Sequence, residues 1–281
     1  MAFTTFIYYG LLTILAMVLA ASLASFLMVV MYRTASSCGL VKDNKGKVLE
    51  TAPFWRGRSV CDRCQQAIAA KDNIPLLSFL LLKGRCRHCQ QPIDRQYFMA
   101  ELVAAIYALV FMIALWLNWP AVQFGSVLVL AAQFIFYLVL IFVVWSDWRY
   151  LIIPDAYLII LSLLVIIVVG SNWLNGLLAV ATSLVFFLFL YYLVKLLWHK
   201  EALGWADIKL IIPLSYLVAW PNNLIAIFLS FIIGGFFATI LLLSQRKQIG
   251  QLVPFGPFLV LGFLISINYA QPLLNWYLAC L

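Results

Sequence analysis

Charge is what this chain has least of. Asp, Glu, Lys and Arg make up 10% of its 281 residues, against a hydrophobic fraction of 66%. Soluble domains carry about 25% charged residues, so this scarcity excludes an ordinary water-soluble fold. Acids are rarer still: ten in all, and beyond residue 102 only Asp147, Asp155, Glu201 and Asp207. No Lys or Arg precedes the first apolar run, and that run outlasts the h-region of a signal peptide, which argues against a removable secretory leader. A glycine-rich nucleotide-binding motif is also missing.

What is present is apolar sequence in long blocks. Eight hydrophobic spans are predicted, over 4–32, 98–118, 121–145, 155–170, 174–197, 207–220, 223–244 and 255–271. Several reach the ~20 residues a membrane-crossing helix needs. Pro213 interrupts the short span at 207–220. Threading the spans sorts the connections into two sets. The N-terminus, Asn118–Trp119–Pro120, 170–175, 220–223 and the C-terminal tail contain no Lys or Arg. The other set, 33–97, 146–154, 198–206 and 245–254 with the helix ends beside it, carries all 18. By the positive-inside rule the basic set is cytoplasmic.

The chain therefore reads as an all-α polytopic membrane protein of about eight transmembrane helices, with a small cytoplasmic domain inserted after the first. Its expected divisions are a first transmembrane helix at 1–32, a cytoplasmic domain at 33–97 and a seven-helix membrane domain at 98–281. Trp119, Trp145, Trp148, Trp173, Trp220 and Trp276 fall near span ends, as an interfacial belt or as packing between helices. No internal repeat is evident. The net charge of +8 points to topology rather than to nucleic acid, because twelve of the 18 basic residues lie between Arg33 and Arg95. The expected surroundings are membrane lipid, and no nucleic acid.

The basic segment holds the sequences CDRC at 61–64 and CRHC at 86–89, two Cys-x-x-Cys knuckles separated by 21 residues. That spacing matches a four-cysteine zinc pattern, with Cys61, Cys64, Cys86 and Cys89 as ligands of one structural Zn²⁺. A cytoplasmic location disfavours disulfides; redox cysteines and an iron–sulfur site are the alternatives. A charged domain of about 65 residues has little core of its own, which gives a metal staple a purpose. His88 reads as a bystander, and Cys38 and Cys280 take no role.

Asp147 ends the span 121–145 and Asp207 opens the next-but-two, so the threading places both near the cytoplasmic face. Two carboxyls sharing a partly dehydrated site do not both ionise comfortably, and the pair titrates as a unit. That is the state an aspartic protease uses: one carboxylate draws a proton from water and the other protonates the scissile group. Gly204 allows close backbone approach beside such a pair. The plainer reading makes Asp207 a helix cap and pairs Asp147 with Arg149. Asp155 reads as the opening of a span after Pro154, and Lys209 and Glu201 as interfacial charges that pair with one another. A transporter using the two acids as a proton relay, or a non-catalytic scaffold with a zinc knuckle, are the rival functional classes.

Five segments resemble the type IV prepilin leader peptidases, membrane aspartic proteases of the Gly-x-Gly-Asp type. They are SFLMVVMYR at 25–33, the cysteine segment 61–97 with its internal NIPLLS, DWRYLIIPD at 147–155, GWADIKL at 204–210 and VPFGPFLVLG at 253–262. The pattern departs at Ala24 and Met28, at Phe98 where proline is usual, and at Ala206, the third position of Gly-x-Gly-Asp.

The resemblance implies that Asp147 and Asp207 are the catalytic pair, in a multi-pass protein of a bacterial cytoplasmic membrane with both acids and the zinc domain toward the cytoplasm. It implies cleavage after a glycine in the short basic leader of prepilins or pseudopilins, serving type IV pili, competence or protein secretion. It also implies methylation of the new N-terminus from S-adenosylmethionine, with the residues that bind that donor unassigned.

Overall fold

Long apolar blocks without internal charge have one economical way to satisfy their backbone in lipid, which is to coil into helices. In the computed structural model the eight runs become eight long helices. These are α1 (Ala2–Ser37), α3 (Arg95–Leu117), α4 (Val127–Tyr150), α5 (Asp155–Val169), α6 (Trp173–Trp198), α7 (Trp205–Val218), α8 (Asn222–Leu243) and α9 (Gly256–Ala279). A five-residue helix, α2 (Leu77–Leu81), and a 3₁₀ turn at Ala70–Asp72 lie between the cysteine knuckles. The structure describes residues 2–41, 59–61, 63–64, 66–117, 127–170, 173–198, 204–244 and 253–279. Trp119, Lys200, Glu201, Arg246, Lys247 and Cys280 lie outside them.

Six of the eight, α1, α3, α4, α6, α8 and α9, are long and apolar enough to cross a membrane. α5 has 15 residues and α7 has 14, which at 1.5 Å per residue is about 21–22 Å, short of a hydrocarbon core of about 30 Å. Pro213 does not end α7, which runs through it to Val218. α9 likewise passes Pro272 and ends eight residues beyond the expected boundary of 271. α1 overruns its expected end at residue 32, because no glycine or proline follows until Gly39, which takes a positive φ of 74°.

The chain divides into two compact units, Met1–Val127 and Leu128–Leu281. In the first, α1 packs along α3 mostly through small side chains: Ala20 and Ala24, with the larger Met28, are fully buried on one helix, and Ala100, Ala104 and Ala108 on the other. Small residues at i, i+4 let two helices approach closely without a hydrophobic driving force. The Tyr9 and Trp116 rings meet edge-on at 4.8 Å at the far end, so the pair runs antiparallel. Two departures noted above, Ala24 and Met28, thus sit in this seam. A third, Phe98, stacks on Phe79 of α2 at 4.9 Å and holds the inter-knuckle segment against α3.

In the second unit α7 packs against α5, α6, α8 and α9, and α8 lies along α9. Hydrogen bonds supply the glue that apolar contact does not. Ser215 of α7 donates to Ser183 of α6 at 2.8 Å, and the Asn223 amide of α8 donates to Ser183, Thr182 and the Ala179 carbonyl at 2.9, 3.0 and 3.1 Å. At Gly262 the two helices touch backbone to backbone: an added Cβ lies 2.7 Å from the Ala226 carbonyl and the Ser230 amide. Trp148, Trp173, Trp220 and Trp276 are exposed at or near helix ends.

Candidate active site

The first turn of any helix carries amides with no partner inside it. In α9 that turn reads Phe255-Gly256-Pro257-Phe258. The Phe255 carbonyl receives the Phe258 and Leu259 amides at 3.0 and 3.1 Å, and Pro257 has no N–H to offer. The Gly256 amide is left free, and it donates to Oδ2 of Asp147 at 2.9 Å. Asp147 comes from the last turn of α4, where its own helix dipole is unfavourable to an anion; the start of α9 reverses that field. A Cβ on Gly256 stands only 2.7 Å from the same oxygen. Glycine is therefore what admits the carboxylate.

Asp207 is the third residue of α7 and its carboxylate accepts the Gly204 amide, as the acidic arm of a capping box does. A Cβ on Gly204 would stand 3.4 Å from Asp207 Oδ2, an ordinary contact, so the close approach expected of a glycine there is not what the geometry requires. Both acids are buried, Asp147 to 6% exposure and Asp207 to 9%. Although 60 positions apart, they are close enough for the charge of Asp147 to act on Asp207. Among the described residues neither is in an ion pair. Lys209 donates to Asp155 at 2.8 Å, joining α7 to the first residue of α5; Glu201, its expected partner, lies outside the described residues. Asp155 does open its helix after Pro154.

Cys61, Cys64, Cys86 and Cys89 gather so that their sulfurs all lie within 4.8 Å of one another, and Cys61 and Cys89 are 3.9 Å apart. A tetrahedral ion with bonds near 2.3 Å spaces its sulfurs about 3.8 Å apart, so the donor set fits zinc. The Cys89 amide, and after it the His88 amide, hold the Cys86 thiol down to about 7. His88 is exposed and stays outside the cluster. A bidentate ion pair, Arg87 to Asp72 at 2.7 and 2.8 Å, ties the second knuckle to the 3₁₀ turn.

The knuckles are copies of one another, which corrects the expectation of no repeat. Val60 bridges Ala67 as Arg85 bridges Pro92. The Cys61 amide bonds the Gln66 carbonyl at 3.0 Å and Cys86 bonds Gln91 at 2.9 Å; Ile68 to Ser59 and Ile93 to Gly84 match at 2.8 Å. The signal stood in the sequence as CDRCQQAI and CRHCQQPI, 25 positions apart.

One further acid was missed. Glu101 on α3 is 9% exposed, and its Oε2 accepts the Leu76 amide at 2.7 Å. Its signal was a carboxylate inside the apolar span 98–118.

A multi-pass helical membrane protein with two buried, interacting aspartates, one closing a helix and one opening another, and a four-cysteine cluster is the class that these features define. The chain belongs to the prepilin leader peptidase family. Residues 18–115 match the Bacterial Peptidase A24 N-terminal domain and residues 134–239 the Type IV leader peptidase family. It is 33% identical over 228 residues to the prepilin leader peptidase/N-methyltransferase of Aeromonas salmonicida, covering 79% of this chain and 75% of that one. The protein of that name from Pectobacterium carotovorum subsp. carotovorum is 35% identical over 221 residues, covering 74% and 73%. The Bacillus subtilis one is 29% identical over 226, covering 79% and 85%. No solved structure matches.

Proposed function

We propose that this chain is a membrane aspartic endopeptidase that removes the short basic leader of type IV prepilins or pseudopilins at the cytoplasmic face, and then methylates the new N-terminus. The observation that carries the reading is the meeting of Asp147 and Asp207, from α4 and α7, in one buried place with no neutralising cation among the described residues.

Two such carboxyls hold one proton between them. The ionised member takes a proton from water as that water attacks the scissile carbonyl, and the protonated member gives its own proton to the carbonyl oxygen. The first then passes its proton to the leaving amine while the second recovers one from the collapsing gem-diol. The Gly256 and Gly204 amides fix the two carboxyl groups without bringing a competing charge. On α7 itself Ile208 and Ile211, the next residue and one turn on from Asp207, are buried.

Cys61, Cys64, Cys86 and Cys89 would hold a structural Zn²⁺, whose contribution is to cross-link the two knuckles. S-adenosylmethionine, as methyl donor, is a co-substrate that supplies an electrophilic methyl on a sulfonium. The concentration of Lys and Arg in the connections beside them supports a cytoplasmic location for the knuckles and both aspartates.

Co-expression with a prepilin and a gel-shift readout tests the dyad. Asp147→Asn and Asp207→Asn are each expected to slow leader removal by about a thousandfold while the protein still accumulates in the membrane. Processing by both variants at the normal rate refutes the dyad. Mass spectrometry of the product's first residue reads the cleavage position and the methyl group together.

A further inference from the structure

Among the described residues of the first unit, two acids are in neither ion pair, Asp94 and Glu101, and of these Glu101 is the buried one. The carboxylate of Glu101 joins three segments: it sits on α3, takes the Leu76 amide from the stretch between the knuckles at 2.7 Å, and accepts the Ser25 hydroxyl from α1. The described residues contain two ion pairs, Arg87–Asp72 and Lys209–Asp155, and Glu101 is in neither. It is surrounded on its own helix by the buried alanines 100, 104, 105 and 108.

A neutral glutamine at 101 keeps an acceptor oxygen for the Leu76 amide and a polar partner for the Ser25 hydroxyl, and avoids placing an ion among apolar side chains. The negative charge is thus more than the packing task requires. A carboxylate also has about four acceptor positions, of which two are occupied. A buried, uncompensated acid in a membrane protein is a place where a cation binds.

We propose that Glu101 is the binding site for the N-terminal ammonium of the shortened pilin during methylation. The proposal rests on the methylation reading above. Glu101 lies in the first unit, in the stretch 18–115 that matches the N-terminal domain, whereas both aspartates belong to the second unit. A peptide α-amine is protonated below about pH 8, and a protonated amine has no lone pair with which to attack. Glu101 holds the ammonium and takes one proton from it. The freed nitrogen lone pair forms the N–C bond to the methyl of the sulfonium donor, the C–S bond breaks, and its electron pair stays on sulfur as a thioether. The methylated nitrogen leaves positively charged, and Glu101 passes its proton to water.

The test uses the full chain in lipid nanodiscs and Glu101→Gln, which keeps the acceptor for Leu76 and removes the charge. Three probes are titrated: a peptide of the mature pilin start with a free amine, its N-acetylated twin, and S-adenosylmethionine. The variant is expected to bind the free-amine peptide about tenfold more weakly, with the acetylated peptide, the donor, the melting temperature and leader removal unchanged. Methylation by that variant falls about a hundredfold.

Unchanged binding of the free-amine peptide overturns the proposal. So does weakened donor binding with the peptide unaffected, which assigns the cation to the donor. Joint loss of leader removal and melting temperature also overturns it, by making Glu101 structural. If the wild-type chain methylates nothing, the methylation reading fails separately, and the two peptides still decide what Glu101 binds.

Discussion

Gly256 leaves no space for a side chain, and the reason is chemical as well as steric. Asp147 Oδ2 occupies the position a methyl group needs, at 2.7 Å, because it is bonded to the amide of the same residue. Gly256→Ala is therefore expected to displace the carboxylate or break its bond. A shift of about 1 Å at a reacting group costs about a hundredfold in rate, and leader removal in a gel assay is the measurement. A matching loss of melting temperature reveals a folding defect instead, so thermal unfolding is read alongside. At this scale the sequence disclosed the two aspartates by their rarity, since acids are so few beyond residue 102. It did not disclose why the PFGP stretch is built as it is. That depends on which amide a proline leaves free and on a carboxylate 109 positions earlier in the chain, a relation that no local pattern encodes.

Each cysteine knuckle is an element stapled by two backbone bonds and finished by two thiols, and neither has a core of its own. Their purpose is legible in spacing because four thiolates around one ion need two short turns and a loop. Zinc analysis of the purified chain is expected to find about one ion per molecule. Cys89→Ser, or a strong chelator, is expected to remove it and lower the melting temperature by about 5 °C or more. A chain free of metal that melts unchanged contradicts the staple. The stacked Phe79–Phe98 pair and the Arg87–Asp72 ion pair hold the same segment. The ion pair, half exposed on its arginine side, adds modestly, which leaves the proposed metal and the aromatic contact to do more. Glu101 escaped notice because seven residues into α3 it stands near basic Arg95 and reads as an interfacial charge. It is buried by neighbours distant in sequence, α1 and the Leu76 stretch, both of which bond its carboxylate.

For the whole molecule, the alternation of basic and uncharged connections told the helix count, and eight helices stand where eight runs were drawn. It did not tell their reach, since α5 and α7 fall short of a full crossing. Hydropathy counts apolar residues and does not register that α7 is enclosed by other helices, which lets a short, proline-bearing segment with Asp207 and Lys209 remain helical. The sidedness inferred from charge has a direct measurement. In a chain with Cys38 and Cys280 changed to serine, one new cysteine is placed at Trp173, the exposed start of α6, or at Leu151, exposed just after α4. A membrane-impermeant maleimide applied to intact cells is expected to label Trp173→Cys, and to reach Leu151→Cys only after the membrane is opened. Leu151 stands four residues from Asp147, and its amide bonds the Asp147 carbonyl at 2.9 Å. Its label therefore reports the side on which the aspartates work. The reverse pattern puts them outside, away from a cytoplasmic leader, and removes the substrate from the proposed chemistry.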